Sequence, residues 1–124
     1  MKQILIIDDD PEFVGNMKQL LEANSYEVIS AGSGKEGVSK AEAESPDLII
    51  IDVMMETWGE GFNVVNKLRE NEKSKDIPRI LLTSLGLQSP LEPVTPEMIG
   101  VKFVLQKPLK PATLLEYVRS ALNE

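Results

Sequence analysis

Two unbroken apolar runs, Ile4-Leu5-Ile6-Ile7 and Leu48-Ile49-Ile50-Ile51, constrain this chain more than any other feature of it. A strand with one wet face alternates apolar and polar residues. A run that is apolar at every position has both faces covered, the condition of strands in a parallel sheet layered between helices. Each run ends in acid, with Asp8, Asp9 and Asp10 after the first and Asp52 after the second. Acids just past the carboxyl ends of such strands meet in the crevice where open α/β sheets bind ligands. Crowded carboxylates repel one another, and a hard divalent cation taking oxygen ligands is the simplest way to offset that repulsion.

The remaining pattern alternates short strands with amphipathic helices. Asp10-Pro11 starts a helix, and Phe13, Val14, Met17, Leu20 and Leu21 follow at helical spacing. Tyr26 to Ala31 predicts a strand, and Ser33 with Glu36 has the spacing of a capping box opening the next helix. Leu48 to Val53 predicts the third strand, residues 61–72 the third helix with Val64, Val65 and Leu68 inside, and Arg79 to Thr83 the fourth strand. Val101 to Leu105 predicts a fifth strand, and Pro111 opens a helix with the stripe Leu114, Leu115, Val118 and Leu122. Right-handed crossovers then give an α/β fold: a doubly wound, five-stranded parallel sheet of order 2-1-3-4-5, flavodoxin-like, over a single domain 1–124. In that order the first and third strands are neighbours, so Asp8, Asp9 and Asp52 converge.

One segment resists the pattern. Pro90, Pro93 and Pro96 fall where the fourth helix should run, and a proline inside a helix costs about 3 kcal/mol. The expectation is a shortened or irregular fourth helix, with Thr95 capping Pro96-Glu97-Met98-Ile99 and Gly100 as the stop.

Composition narrows the chemistry. The 124 residues contain no cysteine and no histidine, which removes disulfides, zinc-thiolate sites and the commonest general base. Carboxylates, hydroxyls, lysine and a hard metal remain. A formal charge of −7 argues against direct binding to nucleic acid or an anionic membrane. No signal peptide or membrane-length apolar run is present, so a cytoplasmic location is the expectation.

Four motifs at successive strand ends carry a family resemblance. They are Ile6-Ile7-Asp8-Asp9-Asp10, Asp52-Val53-Met54-Met55, Leu82-Thr83-Ser84 and Gln106-Lys107-Pro108-Leu109. Over its whole length the chain resembles a response regulator receiver domain of two-component signalling, CheY-like. The resemblance implies that Asp52 accepts a phosphoryl group from a histidine kinase or phosphotransfer protein. It further implies that Asp9, Asp52 and the backbone carbonyl of Met54 hold Mg²⁺, with Asp8 in the outer shell. Lys107 is expected to pair first with Asp52 and then with phosphoryl oxygens, and Thr83 to donate its hydroxyl to the phosphoryl group. The Lys107-Pro108 peptide bond is expected to be cis, a state only proline makes accessible at low cost. Such a protein is a phosphoacceptor that takes part in its own phosphoryl transfer and slow autodephosphorylation; it is not otherwise an enzyme. The chain is expected to be a stand-alone receiver or an excised domain, with no DNA-binding helices.

The chain departs from the family in four places. Met55 to Gly61 lacks the usual proline, reaches its glycine one position later, and carries Glu56, Trp58 and Glu60. The aromatic usually found three residues before the lysine is Val104, and Phe103, one position earlier, should face the other way. The proline-rich stretch from Pro90 to Pro96 suits polyproline II or a stiff loop where the family signals by protein contact. Met54 and Leu85 are apolar where polar groups usually assist water, so slow loss of the phosphoryl group is expected. A phosphorylation-independent adaptor is the alternative reading. An aspartyl-phosphate hydrolase would need an acid at Met54, and a flavin domain would find Asp8-Asp9-Asp10 where it cradles phosphate.

Overall fold

The computed structural model describes residues 1–53, 60–84 and 95–124. Strands and helices alternate in the order β1 (Gln3–Ile7), α1 (Pro11–Ala23), β2 (Glu27–Ala31), α2 (Gly34–Glu44), β3 (Leu48–Asp52), α3 (Glu60–Glu70), β4 (Arg79–Thr83), α4 (Pro96–Ile99), β5 (Phe103–Gln106) and α5 (Pro111–Ala121). All neighbouring strands are parallel, in the order β2-β1-β3-β4-β5. This is the doubly wound sheet that the alternating pattern predicts.

Strand side chains point to opposite faces in turn, so the two apolar runs feed both halves of the core. Ile4, Ile6, Leu48 and Ile50 join Ile80 and Leu82 in packing with Met17 and Leu21 of α1 and Leu114 and Val118 of α5. Leu5, Ile7, Ile49 and Ile51 join Leu81 in packing with Ala41 of α2 and Val64, Val65 and Leu68 of α3. No residue of the two runs is more than 1% exposed. Burying a side chain of this size contributes about 1.5–3 kcal/mol, so a polar residue at any of these positions breaks one of the two layers.

Caps set the helix starts. Asp10 accepts from the amides of Glu12 (3.1 Å) and Phe13 (3.4 Å) ahead of Pro11. Ser33 Oγ accepts from Glu36 N at 3.2 Å, while the Glu36 carboxylate reaches back to accept from Gly32 N at 3.3 Å, one residue beyond the N-cap amide of the ideal capping box. Thr95 caps α4, accepting from Met98 N at 3.4 Å, and Gly100 ends it after four residues with a left-handed φ of 90°. Residues 85–94, where the sequence predicts a broken fourth helix, lie outside the described residues.

Two strand starts differ from the predicted ones because a preceding helix retains the residue. Tyr26 N donates to Leu21 O (3.1 Å), and β2 starts at Glu27. Val101 N donates to Pro96 O (3.1 Å), so the β4–β5 ladder opens with Lys102 N to Arg79 O (2.7 Å) and runs on to Gln106 opposite Thr83. At the same end of the sheet the Arg79 guanidinium donates to the carbonyls of Gly100, Ser74 and Lys75. Burial, and then the nearby Arg69 charge, lowers its pKa from the ordinary value. Among the described residues, no helix is long and apolar enough to cross a membrane.

Candidate functional site

The acids lie at the opposite end of the sheet from Arg79, beyond the carboxyl ends of β1 and β3. These two strands are paired, Ile7 with Ile51, which brings the residues that follow them side by side. One carboxylate oxygen from each of Asp8, Asp9 and Asp52 lies within 4.8 Å of the others. Asp8 and Asp52 are buried at 3% and 7% exposure, whereas Asp9 is exposed. Asp8 continues the ladder, donating its amide to Ala31 O at 3.0 Å, and its Oδ1 accepts from Asp10 N at 2.9 Å. Asp10 itself is spent on the helix cap and stands outside the cluster.

Lys107 reaches the same place from the end of β5. Its amide donates to Thr83 O at 2.7 Å, fixing the backbone, and its Nζ lies 3.3 Å from Asp8 Oδ2 and 3.4 Å from Asp52 Oδ2. The expected pairing of Lys107 with Asp52 is present, and the structure adds a second partner: the ammonium also donates a hydrogen bond to Asp8. The Phe13 ring of α1 lies with its centroid 4.0 Å from Nζ. Sequence periodicity assigns Phe13 to the packed face of α1 and misses this contact. The available signal is an aromatic residue three places after the helix cap, beside the acids. The Lys107-Pro108 bond is cis, and Thr83 is buried at the end of β4.

Among the described residues, three carboxylates against one ammonium leave a formal excess of two negative charges in a small volume. The donors are all oxygen, as a hard cation requires. Ligands at about 2.1 Å on an octahedral Mg²⁺ lie about 3 Å apart when adjacent and about 4.2 Å apart when opposite, so oxygens within 4.8 Å of one another reach one ion by closing roughly an ångström or two, a shift side-chain rotation supplies. The residues fit the ion. Met54, whose carbonyl the resemblance adds to the ligands, lies outside the described residues, as do Glu56, Trp58 and Leu85. Glu60 does not join the cluster; its Oε1 accepts from Gly34 N at the start of α2, at 3.4 Å. Val104 and Phe103 take opposite faces: Val104 packs with the α2–α3 layer, and Phe103 meets Tyr117 edge-on at 4.9 Å.

Two variants probe this electrostatic arrangement. Asp9→Ala is expected to abolish Mg²⁺ binding in calorimetry and to raise the melting temperature of the metal-free protein by removing one repelling charge; unchanged Mg²⁺ affinity removes Asp9 from the ligand set. Lys107→Met leaves buried Asp8 and Asp52 without their ammonium, and is expected to cost about 2–4 kcal/mol in metal-free unfolding experiments, less than for a fully buried pair because Lys107 is partly exposed. Added Mg²⁺ should restore more stability to this variant than it adds to the wild type. Equal gains would mean that the ammonium does not stand in for the cation.

Comparison with known proteins agrees with the geometry. The family described as response regulator receiver domain matches residues 4–119. Protein PilH of Pseudomonas aeruginosa is 30% identical over 122 residues, covering 98% of each chain. The transcriptional regulator RpaA of Synechocystis is 37% identical over 124 residues; this chain spans about half of its length, 50%. Among solved structures, chemotaxis protein CheY4 of Vibrio cholerae superposes with a TM-score of 0.87 at 31% identity, covering 98% of this chain and 99% of that one. Response regulator TrrA of Thermotoga maritima, solved in complex with Mg²⁺-BeF, gives 0.82 at 30% identity, covering 98% of this chain and 100% of that one. The chain belongs to the response regulator receiver family, the CheY-like receiver domains of two-component signal transduction.

Proposed function

We propose that residues 1–124 form one receiver unit in which Asp52 is the phosphoacceptor. The observation that carries this reading is the Lys107 ammonium within 3.4 Å of two buried carboxylates of a three-acid cluster. An Asp52 carboxylate oxygen attacks phosphorus of a phosphohistidine on a kinase or phosphotransfer protein. The P–N bond breaks, the imidazole leaves with its electron pair and takes up a proton, and an acyl phosphate forms. Asp9 and Asp52, with Asp8 outside them and the Met54 carbonyl added, would hold Mg²⁺, whose charge would offset that of the phosphoryl oxygens. Lys107 exchanges its carboxylate partners for phosphoryl oxygen, and the Thr83 hydroxyl donates to another. The signal then passes by protein contact in the cytoplasm. The test is intact mass after incubation with acetyl phosphate, with and without Mg²⁺. A gain of one phosphoryl group only with Mg²⁺ is expected; no gain with a competent donor would transfer the case to the adaptor reading.

The lifetime of the phosphoryl group follows from Met54 and Leu85, read from sequence alone. Neither side chain offers a hydrogen bond to an attacking water. Each tenfold in rate corresponds to about 1.4 kcal/mol, a scale that one well-placed polar group can reach. Met54→Asn and Leu85→Glu are each expected to shorten the lifetime several-fold in a radiolabel decay assay. Wild-type decay in both would show that these positions do not govern water.

A further inference from the structure

We propose that Phe13 is a positioning residue for the Lys107 ammonium, acting through the electrostatics of its ring; this rests on the phosphoacceptor reading above. Lys107 Nζ has Asp8 Oδ2 at 3.3 Å and Asp52 Oδ2 at 3.4 Å. It also lies over the Phe13 ring, 4.0 Å from the centroid. Both residues line a cleft of about 680 Å³ together with Met17, Leu20, Pro108 and Leu114, so removing the ring would leave the ammonium more open to the cleft.

An aliphatic side chain there would exclude water from the charge and return nothing. An aromatic face excludes water and also attracts the cation through its quadrupole. The ring is itself held: Phe13 sits in the first turn of α1, its amide bonded to the Asp10 cap, and it packs against the α1–α5 layer of the core. The Lys107 backbone is pinned to Thr83. Ring and ammonium therefore meet as two anchored groups, and the long lysine side chain loses conformers before a phosphoryl group arrives. That preorganisation lowers the ordering cost of the charge-assisted contact in the transition state.

The test keeps shape and changes the ring's charge distribution. Mono-, tri- and pentafluorophenylalanine are placed at position 13 by nonsense suppression, and initial phosphorylation rates are measured at saturating acetyl phosphate and Mg²⁺. Rates are expected to fall stepwise with fluorination, by about two- to fivefold across the series, with Phe13→Tyr near wild type and Phe13→Leu at the low end. A purely structural role would not grade with fluorination. A flat series while wild type is phosphorylated overturns the proposal. In parallel, the Lys107 ε-methylene protons are expected upfield in the wild type from the ring current and unshifted in Phe13→Leu; unshifted wild-type protons overturn it as well. If the wild type takes no phosphoryl group, the Asp52 reading fails, and the proton shift alone decides whether the ring holds the ammonium.

Discussion

Asp52→Asn is expected to show no Mg²⁺-dependent mass gain with acetyl phosphate, a loss of at least on the order of a thousandfold, or ~4 kcal/mol in the barrier. The amide has nearly the shape of the carboxylate but supplies no anionic oxygen to attack phosphorus, so the acyl phosphate cannot form. Neighbouring acids are poorly placed to take over. Asp8 Oδ1 is engaged by Asp10 N and Oδ2 by Lys107, and its side chain is 1% exposed. Asp9 is exposed, on the outer side of the cluster. The variant should fold, because removing one of three close carboxylates relieves repulsion while Lys107 keeps Asp8 as its partner. A mass gain equal to the wild type in this variant would place the acceptor elsewhere and remove the role assigned to Asp52.

Gly61→Ala is expected to cost about 2–4 kcal/mol, roughly 10 °C in melting temperature for a chain of this size, and to slow phosphorylation. Gly61 N donates to Val53 O at 3.0 Å, closing the loop that follows β3. A Cβ there would lie 2.4 Å from Asp52 O and 2.7 Å from Val53 Cα. Those are backbone atoms of the strand end that presents Asp52, so relief requires moving Asp52 itself. Gly15→Ala is the control. It sits exposed inside α1 with nothing within 4 Å of an added Cβ, and is expected to stabilise by about 0.5–1 kcal/mol through helix propensity. If Gly61→Ala melts and reacts like the wild type, the close approach of α3 to β3 is not as described.

Most of the fold was legible because its signals are local. The continuous apolar runs identify strands covered on both faces, and Asp10-Pro11, Ser33 and Thr95 cap the helices they were expected to cap. The acids at two strand ends, once those strands are adjacent, locate the crevice. Strand starts were less legible: Tyr26 and Val101 have strand-like side chains, but their amides are taken by carbonyls of the preceding helix turn. Side-chain pattern carries no record of that competition.

Residue order and short spacing are enough for the sheet, its two apolar layers, the receiver resemblance and the residue types that stand at each strand end. Packing in three dimensions settles the rest: Lys107 takes Asp8 as a partner beside Asp52, Phe13 lies against its ammonium, Glu60 turns to α2, and Gly61 touches the Asp52 backbone. These are distances between groups far apart along the chain. They are set by how closely packed layers settle against one another, and packing responds to fractions of an ångström that no spacing of residues along the chain encodes.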